Sequence, residues 1–252
     1  MHAEGGSPLA AEHGSWLHFL YRHGVPTWVD EPVLDCWLLI LVLAVVTYAG
    51  TRRLTLLPKP AQNFLELVVE QLEAFTTRIM GPEGKVFVPF VGTLFLYILV
   101  MNLLGLIPGF LSPTASLNTT VALALCVFAA THYHGIRKRG AWGYLKHLWG
   151  EPKALGPLMF VIHLMEECVA RPVSLAVRLF GNIFGKETVL AQLGGVVVLF
   201  LAAGFSYLFG IGLFSFGVQV FVICLALLLG FVQALIFATL ASVYIAGAME
   251  EH

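Results

Sequence analysis

Charge is what this sequence has least of. Only 12% of its 252 residues are charged, whereas soluble globular domains carry about 25%. That scarcity excludes an ordinary soluble domain. The net charge of −1 gives no support to a nucleic-acid partner, which would draw on a basic surface. Cysteine is scarce as well. Cys36, Cys126, Cys168 and Cys224 each stand alone in an apolar stretch without CxxC spacing, so they are expected to be small buried hydrophobes. The first residues, MHAEGGSPLAAEHGSWLHFLYRH, lack a basic stretch followed by an apolar one, and no cleaved signal peptide is expected. What remains is apolar: 58% of the chain, with a mean hydropathy of +0.85. The expectation is an integral membrane protein.

Hydropathy sets the layout. Residues 34–50 form a first span, just long enough to cross a bilayer core of about 30 Å. Residues 61–80 place Phe64, Leu65, Val68, Leu72 and Phe75 at helical spacing, with Glu66, Glu70 and Glu73 opposite. That pattern predicts an amphipathic helix on the membrane surface. Residues 86–107 and 117–136 are the next spans, joined by a Pro-rich turn. Residues 157–203 and 214–249 are each too long for one upright crossing at 1.5 Å per residue. Two readings stay open there: a hairpin of two long, tilted helices, or a break near Glu187 that leaves a surface helix and two ordinary spans. The expected fold is all-α integral membrane. It has about five membrane helices plus a surface amphipathic helix, the last two long and strongly tilted. Residues 1–33 form an outside segment and residues 34–252 one membrane domain. Of fourteen Lys and Arg, five fall between residues 52 and 85 and five between 137 and 153. Basic loops stay cytoplasmic, which puts the N-terminus outside and the C-terminus inside.

In the middle of the greasiest part stands Arg178, within SLAVRLFGNIFGKE. Arginine cannot shed its charge, and placing it in a bilayer costs about 3 kcal/mol on insertion scales. On a helix its face neighbours are Arg171, Ser174, Leu175, Gly181, Asn182 and Gly185. None is acidic. Glu167 lies about 16 Å away along the axis, and Glu187 points to the opposite side. Ser174, Gly181 and Gly185 keep the face low enough for another helix to approach closely. The bland alternative is an arginine that snorkels to the interface. It suits Arg171 well, and Arg178 poorly because apolar residues flank Arg178 on both sides. The countercharge is therefore expected from outside this helix, another subunit being one source.

The stretch RPVSLAVRLFGNIFGKE (171–187) resembles the signature of the a subunit of F-type rotary ATP synthases. MNLLGLIPG (101–109), SPTASLNTT (112–120) and LLLGFVQALIFATLASVYIAGAMEEH (227–252) resemble other parts of the same family in the same order. The resemblance implies a stator subunit beside a ring of c subunits, each with one membrane carboxylate. It also implies the b-subunit peripheral stalk and the rest of the F1Fo complex as partners, a bacterial inner-membrane location, and no cofactor or metal of its own. Two offset half-channels would pass protons to and from the ring, with Arg178 as the essential charge between them. Asn182 and Gln233 match amides near that arginine. Glu187 matches an acidic position of the outer half-channel.

Each polar residue also has a plain structural reading. Asn182 and Gln233 suit interhelical hydrogen bonding. Glu166 and Glu167 lie within reach of an inner half-channel, or form a solvated face paired with Arg171. Asn102 suits an outer lining, and Asn118 to Thr120 suit either that lining or turn capping. One position departs from the family pattern. Seven residues before Gln233, where many relatives carry a titratable group, this chain has Ala226. Gln219, seven residues earlier still, offers only an amide to order water. Two other classes of membrane protein make different demands on the sequence. A self-contained secondary transporter calls for inverted repeats and its own midplane acid beside the arginine. A haem-bearing redox protein calls for paired histidines on two spans. Neither pattern is present.

Overall fold

The computed structural model describes residues 31–52, 60–107, 112–149, 156–202 and 209–249. All but the last three residues of the outside segment expected at residues 1–33 therefore lie outside the described residues, as do parts of the turns expected at 108–116 and 204–217. The described residues are built from helices. They are α1 (Glu31–Thr51), α2 (Pro60–Met80), α3 (Val88–Leu104), α4 (Leu117–Trp149), α5 (Gly156–Met165), α6 (Arg171–Ala202) and α7 (Phe209–Met249). A 3-10 turn, Pro82–Phe87, leads into α3, and another, Pro113–Ala115, leads into α4. A π-turn, Glu166–Ala170, joins α5 to α6.

This is the all-α membrane fold expected. Among the described residues, segments within four helices are long and apolar enough to cross a membrane: Pro32–Thr51, Pro82–Leu104, Leu117–Gly140 and Phe216–Met249. The fifth long helix, α6, is broken up in hydropathy by Arg171, Arg178, Lys186 and Glu187. It runs unbroken through Glu187 to Ala202, which selects the long-hairpin reading over a break near that residue. At 41 residues, α7 measures about 61 Å and must tilt to stay in a core of about 30 Å.

Several boundaries differ from expectation. Helix α1 begins three residues earlier, at Glu31. Helix α4 does not stop at residue 136. It continues through Arg137-Lys138-Arg139, breaks at Gly140 (φ 73°), and resumes to Trp149. The cysteine expectation fails outright. Cys126, Cys168 and Cys224 are exposed on outward faces and Cys36 is only half-buried. A thiol is apolar enough to face lipid, so apolar flanks do not imply burial in a membrane protein. On α2, Leu65, Val68, Leu72 and Phe75 turn inward, while Phe64 is 64% exposed.

Packing explains how these helices hold together. Lipid is as apolar as leucine, so close approach and hydrogen bonds replace the hydrophobic drive. The buried face of α7 is made of small residues at helical spacing: Gly230, Ala234, Ala238, Ala241, Ser242 and Ala248. They let α3, α4 and α6 pack directly against it. Ile98 and Met101 of α3, Val127 of α4 and Leu179 of α6 fill the centre with Phe237 and Ile245. The other faces carry exposed Leu, Val and Phe, such as Leu41, Val45, Phe221 and Leu228.

Candidate functional site

Helix α6 has two unlike faces. Leu175, Ala176, Leu179 and Ile183 are buried against α4 and α7. Ser174, Arg178, Gly181 and Gly185 are exposed on the other side. A side chain added at Gly181 or Gly185 would meet nothing within 4 Å. Among the described residues, no ion pair or hydrogen bond reaches Arg178. The chain thus presents a permanent cation on an open, low helix face.

One turn beyond the arginine, Asn182 Nδ2 donates to Gln233 Oε1 of α7 at 2.6 Å. This bond ties α6 to α7 beside Arg178, and Gln233 is 2% exposed. The structure therefore brings these two predicted residues together. Gln219 lies half-buried on α7, four turns away from Gln233.

Glu187 closes a polar cluster at the turn end of the bundle. Its Oε1 accepts the Ser112 N–H at 3.2 Å. Ser112 Oγ donates to the Met101 carbonyl at 3.2 Å and pairs with Thr114 Oγ1 at 2.6 Å. Thr114 donates to Asn102 Oδ1 at 3.2 Å, and Asn102 Nδ2 donates to the Gly230 carbonyl at 3.0 Å. Gly105 leaves the room: a Cβ there would stand 2.5 Å from Ser112 Cβ and 3.3 Å from Glu187 Oε1. Asn102 is therefore a buried member of this cluster. Thr120, by contrast, caps its own turn through the Leu117 carbonyl at 2.9 Å. Asn118 stays exposed.

Sequence reasoning missed one charged member. Lys186 Nζ donates to the Asn102 carbonyl at 3.3 Å. The signal was present, since Lys186 is the last lysine of the chain, alone in an apolar stretch beyond residue 153. Ala226 is 2% exposed and packed, so it contributes no titratable group and leaves little room for one.

A second polar cluster occupies the opposite, basic end. Arg171 pairs with Glu166 at 3.3 Å and Glu167 at 3.6 Å, and its guanidinium stacks 5.3 Å from the Tyr244 ring. The plain pairing foreseen for these glutamates is thus present, although it does not use them equally. The Glu166 side chain is 53% exposed and that of Glu167 only 13%. His132 and His134 make aromatic contacts with Phe128 and Phe87. No group of three or more metal-binding side chains occurs among the described residues.

Along α6, Arg178 stands about 10 Å from Arg171 and about 13 Å from Glu187. These features define a class: an all-helical, multi-pass membrane protein with an unpaired arginine between polar clusters at opposite ends of the bundle. Comparison with known proteins then gives the family. Residues 33–246 match the family model described as ATP synthase A chain. The chain is 37% identical over 245 residues to ATP synthase subunit a of Protochlamydia amoebophila, covering 95% of this chain and 85% of that one. It is 41% identical over 240 residues to the subunit a of Geobacter sulfurreducens, covering 94% and 96%. For the subunit a of Trichlorobacter lovleyi the identity is 42% over 219 residues, covering 87% of each chain. The chain belongs to the ATP synthase A chain family. It is a membrane subunit of an F-type ATP synthase, with a stator role in proton translocation, and the rest of that complex is its partner.

The α6–α7 register beside Arg178 is directly testable. With the four native cysteines replaced, cysteines at Asn182 and Gln233 are expected to form a disulfide readily under mild oxidation. Failure to cross-link would refute the pairing of these two helices.

Proposed function

We propose that this chain conducts protons to and from the carboxylates of a c-subunit ring through two offset half-channels, with Arg178 as the barrier between them. The observation that carries this reading is the arginine itself. It is charged, sits on an open face of small residues, and lacks a counterion among the described residues. A ring carboxylate brought up in trans supplies the missing charge. Residues 34–252 act in it as one membrane domain.

The chemistry follows from charge. A guanidinium close to an ionised carboxylate favours the charged form, so a protonated ring site that reaches Arg178 releases its proton. The fixed cation also repels a proton moving directly between the clusters. Each elementary charge crossing gains about 2.3 kcal/mol per 100 mV, and blocking that leak makes the energy available as rotation. Glu187, with Asn102 and the Ser112–Thr114 pair, lines the outer path. Glu167, with Glu166 beside it, lines the inner path. Asn182 and Gln233 hold the helix surface around Arg178, and Gln219 orders water on α7. The b-subunit stalk holds the stator against the turning ring. Basic residues concentrate in segments 52–85 and 137–153, which supports a bacterial inner-membrane orientation with the N-terminus outside and the C-terminus in the cytoplasm.

Replacing Arg178 by Ala is expected to abolish ATP synthesis in energised membrane vesicles while the complex still assembles. Arg178→Lys is expected to fail too, since a compact ammonium does not reproduce the planar, spread charge of guanidinium. Synthesis near the wild-type rate in Arg178→Ala vesicles would sink this assignment. Glu187→Gln keeps size and an acceptor but loses the ionisable site. It is expected to slow passive proton conduction through membranes stripped of the soluble sector, with residual flux through water. Wild-type conduction in that variant would place the outer path elsewhere.

A further inference from the structure

The basic end of the bundle contains a buried tyrosine, Tyr144. Beyond the membrane span, α4 breaks at Gly140, whose φ of 73° suits glycine far better than any bulkier residue. The break folds the segment after it back onto α4, and Tyr144 lands there with 5% of its surface exposed. Its ring lies where Gly135 has no side chain: a Cβ at 135 would stand 2.8 Å from Tyr144 Cε2. The His132 ring lies 5.8 Å away. From this seat the Tyr144 hydroxyl donates to Glu167 Oε2 at 2.9 Å, while the other oxygen, Oε1, faces Arg171 at 3.6 Å.

The two adjacent glutamates show what this achieves. Glu166 has only Arg171 as a partner among the described residues and stays mostly in solvent, whereas Glu167 is held from both sides and turned inward. Glu167 and Arg171 border a small space, about 10 Å³ and so close to the volume one water needs, bounded also by Thr131, His132, Pro172 and Tyr244. Burial, and then the bond to Glu167, push the Tyr144 phenol well above its ordinary range. It therefore stays a neutral donor at any physiological pH.

We infer that Tyr144 is a positioning residue of the inner proton path, whose hydroxyl holds the Glu167 carboxylate against the pocket between α4, α6 and α7. The two glycines that make this possible, Gly140 at the break and Gly135 beneath the ring, serve to deliver that one hydroxyl. This inference rests on the proposed place of Glu167 in the inner path, and the test separates the two.

Passive proton conduction is measured in membranes that hold the assembled complex, stripped of the soluble sector, for Tyr144→Phe, Glu167→Gln and the double variant. Tyr144→Phe keeps the ring beside Gly135 and removes only the hydroxyl. It is expected to assemble normally and to conduct about tenfold more slowly, the effect of one lost bond to a charged acceptor. In the Glu167→Gln background the same change is expected to add nothing, because the carboxylate it positions is gone. A residue that serves packing alone would lose the same factor in both backgrounds, and that result would overturn the inference. Wild-type conduction in Tyr144→Phe beside slow conduction in Glu167→Gln would also overturn it while leaving the inner path intact. Wild-type conduction in Glu167→Gln would remove Glu167 from the path and the inference with it. Loss of assembly in Tyr144→Phe would assign the hydroxyl to folding and likewise end the proposal.

Discussion

A guanidinium that cannot be neutralised, held in a medium that cannot solvate it, is the constraint around which this molecule is organised. Helix α6 turns its bulky side chains, Leu175, Leu179 and Ile183, into the bundle. It leaves Ser174, Gly181 and Gly185 around Arg178 on the open side. Had the arginine been needed for internal cohesion, it would sit in a network such as the one that holds Arg171 between two glutamates and Tyr244. The contrast between two arginines seven residues apart on one helix separates a cation paired within the chain from one left open to a partner.

The remaining architecture serves this exposed charge. Helix α7 offers a face of glycine, alanine and serine, so α6 can lie close enough for Asn182 to reach Gln233. Polar clusters then form where other helices end: Glu187, Lys186, Ser112, Thr114 and Asn102 at one end, and Glu167, Arg171 and Tyr144 at the other. Between them Arg178 is flanked in sequence by Val177 and Leu179 and has no acidic neighbour on its own helix face. Two polar regions separated by a cation support the proposed proton path interrupted in its middle.

Much of this was legible in the sequence, because scarcity of charge makes each remaining charge informative. Arg178 stood out by residue type inside an apolar run, Glu187, Asn182 and Gln233 stood out through the family resemblance, and helical spacing alone put Glu187 on the side away from Arg178. Length against bilayer thickness marked out the spans but left a long hairpin and a break near Glu187 both open, and the continuous α6 decides between them. Other features were not legible, for physical reasons. Cys126 and Cys224 face outward because lipid accepts what water rejects, so burial does not follow from apolarity here. The fold-back at Gly140 depends on one dihedral and on a tertiary contact with Gly135, neither of which leaves a periodic signature. Ser112 and Thr114 read as turn residues, and only the approach of α6 makes them partners of Glu187. Lys186 joins the cluster only through a tertiary contact of its amine with the end of α3, which spacing along the chain does not show.

The most direct test is of what lies against the open face of α6. A photoactivatable cross-linker is attached to a single cysteine at Gly181 in the intact complex, with Cys36, Cys126, Cys168 and Cys224 replaced, and the adducts are identified by mass spectrometry. The same label at Ile183, on the buried face, serves as the control. The account predicts adducts to the ring subunit from position 181 and none from position 183. Adducts from position 181 confined to lipid, or to another part of this same chain, would contradict it, because Arg178 would then have no partner in trans.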